Sequence, residues 1–355
     1  MFYRRVTQVA EKLHLSSEET KRLERIANQY PMMIPDYYLR LIDPDDPDDP
    51  IRKMSVPSYF EAEREGSFDT SGEQTNTVLP GLQHKYAQTA LILSTSECAM
   101  YCRHCFRKRL VGASDDEIAA NFGAVVGYIR EHKEISNVLI SGGDSFMISN
   151  MMIRRYLEAF AQMDHLDFVR FGTRTPVTYP QRINGDAELL KILHTQGQKK
   201  QIYIITQFNH PNEITPQSTE AVRRLQAAGL IVKNQTVLLR GVNDDPKTLG
   251  TLLKKLTRIG CVPYYIFQCR PVKGVKGGFQ VPLFDGVKIV DRAKAMQNGH
   301  GKHLHYCMSH PTGKIELLGK APGGEMITKY HEAKDPDNYG KVLYRKTEAD
   351  QCWYN

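Results

Sequence analysis

Six short β-rich runs, each followed by a helical stretch, constrain this chain more than any other feature. The runs are "TALILST" (89–95), "NVLISGG" (137–143), "FVRFGTR" (168–174), "QIYIITQ" (201–207), "IVKNQTVLL" (231–239) and "VPYYIFQC" (262–269). Between them lie amphipathic segments such as "DEIAANFGAVVGYIREH", "TEAVRRLQAAG" and "PKTLGTLLKKLTRIG". Strands and helices alternating at this spacing predict an α/β fold with a parallel sheet and right-handed crossovers. Polar residues at the strand ends point to a barrel-like arrangement, full or partial, with its site at the carboxyl ends of the strands. A chain of 355 residues has core enough for one such barrel or for two smaller domains.

The flanks read differently. Residues 1 to about 85 form a polar, helical leader, in which Ser16 or Ser17 caps the helix of "SSEETKRLERIANQY". The run "DPDDPDDP" at 43–50 excludes helix and predicts an exposed, extended connector. After residue 298 the chain reads as loops and short strands, then a charged tail. No run of about 18 apolar residues is present, so no transmembrane helix is expected. The start lacks an apolar signal core, which predicts a cytoplasmic protein. Seven cysteines, four of them scattered, do not look like a secreted disulfide framework. The net charge of +7 suits an anionic substrate or cofactor as well as it suits nucleic acid.

The other three cysteines crowd into "ECAMYCRHCFRKR". Cys98, Cys102 and Cys105 follow the first predicted strand and precede a run of cations. Zinc in a structural site wants four ligands, and His104 or a distant cysteine would have to supply the fourth. A C-x2-C redox pair is a second option, usually found at a helix start in a smaller fold. The favoured reading is an iron–sulfur cluster held by three thiolates, which leaves one iron open to chelate a small molecule. The position after the first strand and the aromatic Tyr101 between the cysteines support it.

The spacing of Cys98, Cys102 and Cys105 resembles the signature of the radical S-adenosylmethionine enzymes. With "PGLQHKY", "LISGGDSF", "FGTRTPVTYPQRI", "FNHPNEIT", "NQTVLLRGVND" and "PYYIFQC", the chain resembles the lysine 2,3-aminomutase family from about residue 30 to 319. The resemblance implies a partial (β/α)6 barrel, a [4Fe–4S] cluster, S-adenosylmethionine and pyridoxal phosphate. It divides the chain into a helical N-terminal extension (1–85), the barrel (86–298) and an irregular C-terminal cap with tail (299–355).

The resemblance also implies roles. Cys98, Cys102 and Cys105 match the cluster ligands. Ser141, Gly142, Gly143 and Asp144 match the loop that meets the amino group of S-adenosylmethionine. The glycines allow close backbone approach, and Asp144 can pair with an ammonium. Gln235 and the "QFNHPNE" stretch match positions near that cofactor, although His210 reads equally as a structural hydrogen-bonding residue. Arg107 matches the residue that grips the substrate carboxylate, a task that suits a planar fork. Arg103, Lys108 and Arg109 read as structural or charge-balancing, and Arg174 as internal.

Lys314 stands where the family places its catalytic Schiff-base lysine, although the family's glycine run is cut here to Thr312-Gly313. Lys85 and Tyr86 match residues that hold the pyridoxal phosphate group and lie against its ring. A second phosphate-binding arginine is replaced by Thr89. The two aspartates that meet a lysine substrate's distal ammonium are replaced by Arg270 and Ser309. A cation there disfavours lysine and suits an anionic, glutamate-like side chain. The family's C-terminal zinc cysteines are absent as a cluster: Cys352 stands alone, Asp245 takes the partnering position, and no structural zinc is expected.

The reading is therefore a radical S-adenosylmethionine 2,3-aminomutase, an isomerase. It would move an α-amino group to the β-carbon through a 5′-deoxyadenosyl radical and a pyridoxal phosphate imine. Its partners would be a small amino acid, with a protein acceptor still open, and an electron donor such as flavodoxin or ferredoxin. A homo-oligomer is expected, without nucleic acid or membrane. Two alternatives stand beside it. One is a pyridoxal-free enzyme of the same family catalysing another rearrangement or modification. The other is a non-catalytic iron–sulfur or nucleic-acid-binding protein.

Overall fold

The computed structural model describes residues 1–354. A small antiparallel ribbon pairs β1 (Phe2–Tyr3) with β2 (Ile34–Pro35). All later strands join one sheet. In chain order they are β3 (Thr77–Leu79), β4 (Leu82–Tyr86), β5 (Thr89–Leu93), β6 (Asn137–Ser141), β7 (Phe168–Gly172), β8 (Gln201–Thr206) and β9 (Ile231–Leu238). They continue with β10 (Val262–Gln268), β11 (His305–His310), β12 (Gly313–Lys320), β13 (Met326–Ala333) and β14 (Val342–Arg345). Spatial order follows chain order, and β3 and β14 are its free edges, so the sheet does not close. From β5 to β11 every neighbouring pair is parallel. This is a partial barrel.

All six runs anticipated from the sequence are barrel strands. The structure adds a seventh parallel strand, β11, from the segment expected to cap the barrel. Its sequence, "HYCMSH", is half polar, which hides the β pattern. The hairpin strands β12, β13 and β14 then extend the same sheet antiparallel.

The strand period of two sorts the side chains. Val138, Ile140, Val169, Phe171, Ile202, Ile204 and Val232 are buried with helix residues such as Val125, Ile153, Leu189 and Leu225 in the main core. The alternate residues Leu139, Ser141, Phe168, Arg170, Gln235 and Val237 face inward and line a cavity. The barrel interior is therefore left open rather than packed shut.

The leader wraps this barrel. Ser16 Oγ accepts from the Glu19 amide at 3.2 Å, and Glu19 returns a bond to the Ser16 amide, a capping box for the helix Ser17–Gln29. The acidic connector forms turns rather than an extended segment. Its last acid, Asp49, is buried because it caps the helix Pro50–Ser55.

Candidate active site

A cavity of about 770 Å³ opens at the carboxyl ends of the parallel strands. Every residue singled out above as cofactor-, substrate- or metal-binding lines it, from Lys85 and Tyr86 to Ser309 and Lys314. These residues lie up to 229 positions apart in sequence (314 − 85); the barrel topology brings them together.

The cysteine loop leaves β5 and is pressed against the loop after β6. The Gly143 amide donates to Thr95 O at 2.5 Å, and the Asp144 amide donates to Glu97 O at 2.8 Å. A Cβ on Gly142 would lie 2.3 Å from Thr95 O, and one on Gly143 would lie 2.3 Å from Glu97 O. Gly142 also has φ +118°. Only glycine fits both positions. The close approach fixes Glu97, and with it Cys98. The thiols of Cys98, Cys102 and Cys105 are free and border the cavity. Burial pushes the Cys98 thiol well up and that of Cys105 to about 11. Without a metal both stay protonated, and a bound cluster supplies the positive charge that makes them thiolates.

Asp144 is buried, and its carboxylate is already engaged. It accepts from Thr173 Oγ1 at 2.5 Å, from the Arg174 amide at 2.7 Å and from the Phe146 amide at 3.0 Å. It thus ties the loop after β6 to that after β7. Arg174 in turn brings Nη1 to 2.8 Å from Cys102 Sγ. Its Nη2 is 2.5 Å from Glu213 Oε1, and its Nε donates to Gln207 O at 2.9 Å. Glu213, wholly buried, also accepts from the Tyr38 hydroxyl at 2.6 Å and the Asn209 amide at 2.5 Å. Arg174 is thus more than internal, since it reaches the middle cysteine.

The cations among and after the cysteines are pinned by acids of the leader. Arg103 is gripped through Nε at 3.0 Å by both oxygens of the wholly buried Glu61, which also takes Lys108 Nζ at 2.6 Å. Glu73 takes Arg109 at 2.6 Å and Arg107 at 3.3 Å. Arg107 also points Nη1 at Ser141 Oγ and Gly142 O, each at 3.3 Å. These long bonds leave its fork available to a better acceptor.

Across the cavity, Arg270 donates to Ser71 Oγ at 2.9 Å and to Ser309 Oγ at 2.8 Å, with its guanidinium 4.1 Å above the Phe106 ring. Burial draws its pKa down to about 10, which leaves it charged at neutral pH. Lys314, on β12 opposite Ser309, pairs with Glu332. Its Nζ stands 5.3 Å from the Tyr86 ring centre and 5.4 Å from that of Tyr265. Lys85 lies 5.5 Å from the Tyr86 ring and donates to His310 O at 2.6 Å. Thr89 sits beside Asn137.

Three residues have structural work here. His210 caps the turn Pro211–Glu213 through Nδ1, which accepts from the Asn212 amide. Asp245 caps the helix Pro246–Arg258. Cys352 lies in the C-terminal segment, where its carbonyl accepts from Gln268. Sequence reasoning missed the acids Glu61, Glu73 and Glu332 and the cavity-lining Arg170, and it placed Glu213 in the "QFNHPNE" stretch without its pairing to Arg174. The signal available was the crowd of cations itself, since buried cations require counter-charges.

Residues 92–253, which run from the end of β5 through the cysteine loop and the parallel strands β6 to β9, match the Radical SAM superfamily. A protein of Aquifex aeolicus, assigned provisionally as an L-lysine 2,3-aminomutase, is 39% identical over 344 residues, 96% of this chain and 91% of the relative. The chain belongs to the radical SAM aminomutase family. The L-lysine 2,3-aminomutase of Clostridium subterminale is 37% identical over 97% of this chain and 79% of its own length. The glutamate 2,3-aminomutase of Clostridioides difficile is 36% identical over 94% and 78%. Membership makes this chain an isomerase that uses a [4Fe–4S] cluster and S-adenosylmethionine. The free thiols and the glycine cradle fit those groups. Among the described residues no helix is long and apolar enough to cross a membrane.

Proposed function

We propose that this aminomutase moves the α-amino group of an amino acid with an anionic side chain, and that it uses pyridoxal phosphate to do so. Overall identity does not separate lysine from glutamate, since relatives named for each are equally similar. The observation that carries the reading is Arg270. Its guanidinium borders the cavity, and among the described residues no carboxylate lies within 4.0 Å of it. An ammonium-tailed substrate would meet a like charge in a water-poor pocket, and a carboxylate tail would complete an ion pair. Arg107 would hold the α-carboxylate. Ser309 and Ser71 would keep the Arg270 fork in the plane its ligand needs.

When bound, the cluster with S-adenosylmethionine supplies a hydrogen-abstracting carbon radical, and pyridoxal phosphate supplies a carrier for the migrating amino group. Cys98, Cys102 and Cys105 would hold the cluster, and the Gly142–Gly143 backbone would border the S-adenosylmethionine. Lys314 would hold the pyridoxal, with Glu332 as acceptor for the lysine proton, Tyr86 against the ring and Lys85 near the phosphate. The walls of the cavity would limit the access of water and stray hydrogen donors to the reacting carbons.

The test is anaerobic incubation with S-adenosylmethionine, a reductant and a pool of amino acids, read by mass spectrometry for β-isomers. A β-isomer of a glutamate-like amino acid is expected. Faster turnover of free lysine than of glutamate would sink the charge argument.

A further inference from the structure

Arg170 is a cation with no carboxylate within 4.0 Å among the described residues. It lies in the middle of β7, in register with Leu139 of β6 and Tyr203 of β8, and its side chain is turned into the cavity. Its one hydrogen bond among the described residues runs from Nη2 to Asn137 Oδ1, at 2.5 Å. The Nε–H is buried and has no partner. A guanidinium carries five donors. Shutting one away with donors idle is unfavourable unless an acceptor arrives. Burial accordingly lowers its pKa.

The acceptor's chemistry follows from the neighbourhood. Asn137 Nδ2 donates to Gln88 O at 2.8 Å and lies 3.2 Å from Thr89 Oγ1, so the amide is held with its oxygen toward Arg170. Thr89 is the register partner of Tyr86, and Lys85 Nζ and Lys314 Nζ stand 5.5 Å and 5.3 Å from the centre of the Tyr86 ring. Lys85, Lys314 and Arg170 all line the cavity, the two lysines over the Tyr86 ring and Arg170 linked through Asn137 to Thr89, the register partner of Tyr86. Among the described residues, the carboxylate paired with one of these three cations is Glu332, and Lys314 occupies it. Two uncompensated cations beside a flat aromatic face suit a dianionic ester of an aromatic aldehyde. Thr89 is linked to the Arg170 fork through the Asn137 amide.

We propose that Arg170 is the phosphate anchor of this enzyme. Its Nε–H and a free Nη–H donate to the phosphate oxygens of pyridoxal phosphate, and Asn137 orients the fork. This rests on the pyridoxal phosphate reading above.

The experiment compares equilibrium binding of pyridoxal phosphate and of pyridoxal, which lacks the phosphate, to the anaerobic cluster-loaded enzyme. Wild type, Arg170→Met and Arg170→Lys are titrated by absorbance. Wild type should prefer the phosphorylated form. Arg170→Met should weaken it by about thirtyfold, as befits lost charge-assisted bonds, and should leave pyridoxal unchanged. Arg170→Lys should fall between, because it keeps the charge and loses the fork. Equal losses for both ligands, or none, would overturn the anchor and make Arg170 structural. Wild type alone tests it too, since equal affinity for the two ligands refutes any phosphate anchor. If wild type binds neither ligand, the pyridoxal reading itself fails, and this proposal goes with it.

Discussion

Replacing Gly143 by alanine tests how the loop after β6 sets the position of the cysteines. The new Cβ would stand 2.3 Å from Glu97 O and 2.7 Å from Glu97 C, both backbone atoms that cannot rotate away. Ordinary contact begins at 3.4 Å, so one loop must retreat by about 1 Å. That motion breaks the 2.8 Å bond from the Asp144 amide to Glu97 O and shifts the residue next to Cys98. Overpacking of this kind costs about 1–3 kcal/mol, and a 1 Å misplacement at a reacting centre costs about a hundredfold in rate. Gly127→Ala is the control. Gly127 lies inside the helix Phe122–Glu131, and a Cβ there meets nothing within 4 Å. Alanine should stabilise that helix by about 0.5–1 kcal/mol and leave the site untouched. The assays are urea midpoints, iron per chain after anaerobic purification, and release of 5′-deoxyadenosine under reductant. If Gly143→Ala kept full iron and wild-type cleavage, the glycine cradle would not be what positions the cysteine loop.

Three further outcomes are expected. Glu61→Gln strands Arg103 and Lys108 as buried cations and should cost about 3–5 kcal/mol by chemical denaturation. Burial raises the Glu61 pKa, but Arg103 and Lys108 outweigh it and hold it below the usual carboxylate range. Its stabilising share is therefore present above the unfolded carboxyl pKa and lost as acid carries the pH through the folded one, so Glu61→Gln should flatten the acid limb of the stability profile. Burial, then the charges of Arg270, Lys314 and Lys334, pull the Lys85 pKa down to about 7. The unfolded chain thus binds more protons, and in phosphate-free buffer stability should climb from about pH 7 to about pH 10; urea midpoints of Lys85→Met running parallel to wild type over that range would contradict this. Arg270→Asp should lower turnover of a glutamate-like substrate at least about tenfold in kcat/KM, about 1.4 kcal/mol, and an unchanged ratio of glutamate to lysine turnover would show that Arg270 does not touch the side chain.

The parts of this protein that were legible in sequence are those with local patterns. The six barrel strands announce themselves by β-branched runs, and Ser16 announces its helix by the Glu three residues on. The cysteine spacing and the "SGGD" turn locate the site because both lie at strand ends. The seventh strand was obscured because β11 alternates histidine, serine and buried apolar residues in a stretch with no β-branched residue. The connector at 43–50 reads as wholly exposed because its Asp-Pro repeat hides a local signal, Asp49 as cap directly before Pro50 in the first turn of a helix. The missed acids and the Glu213 pairing have another cause. Glu61, Glu73 and Glu213 lie 42, 34 and 39 residues from the arginines they hold, distances over which no sequence period operates.

Those acids also explain which cations remain for ligands. Arg103 lies between Cys102 and Cys105, and Lys108 and Arg109 follow them, yet each is held by a carboxylate of the leader, and Arg174 is held by Glu213. Their charge is matched within the protein, so removing any of them should disturb the fold of the loop before it disturbs binding. Lys85, Arg170 and Arg270 are different. Each lines the cavity, each has its pKa drawn down by burial, and none has a carboxylate within 4.0 Å among the described residues. A folded chain tolerates such groups where an anion will meet them. With Arg107, whose contact to Glu73 is long, they leave positive charge unspent at separate points of one cavity. That distribution suits a substrate with two carboxylates and a cofactor with a phosphate, and it is unsuited to a substrate that brings a second ammonium.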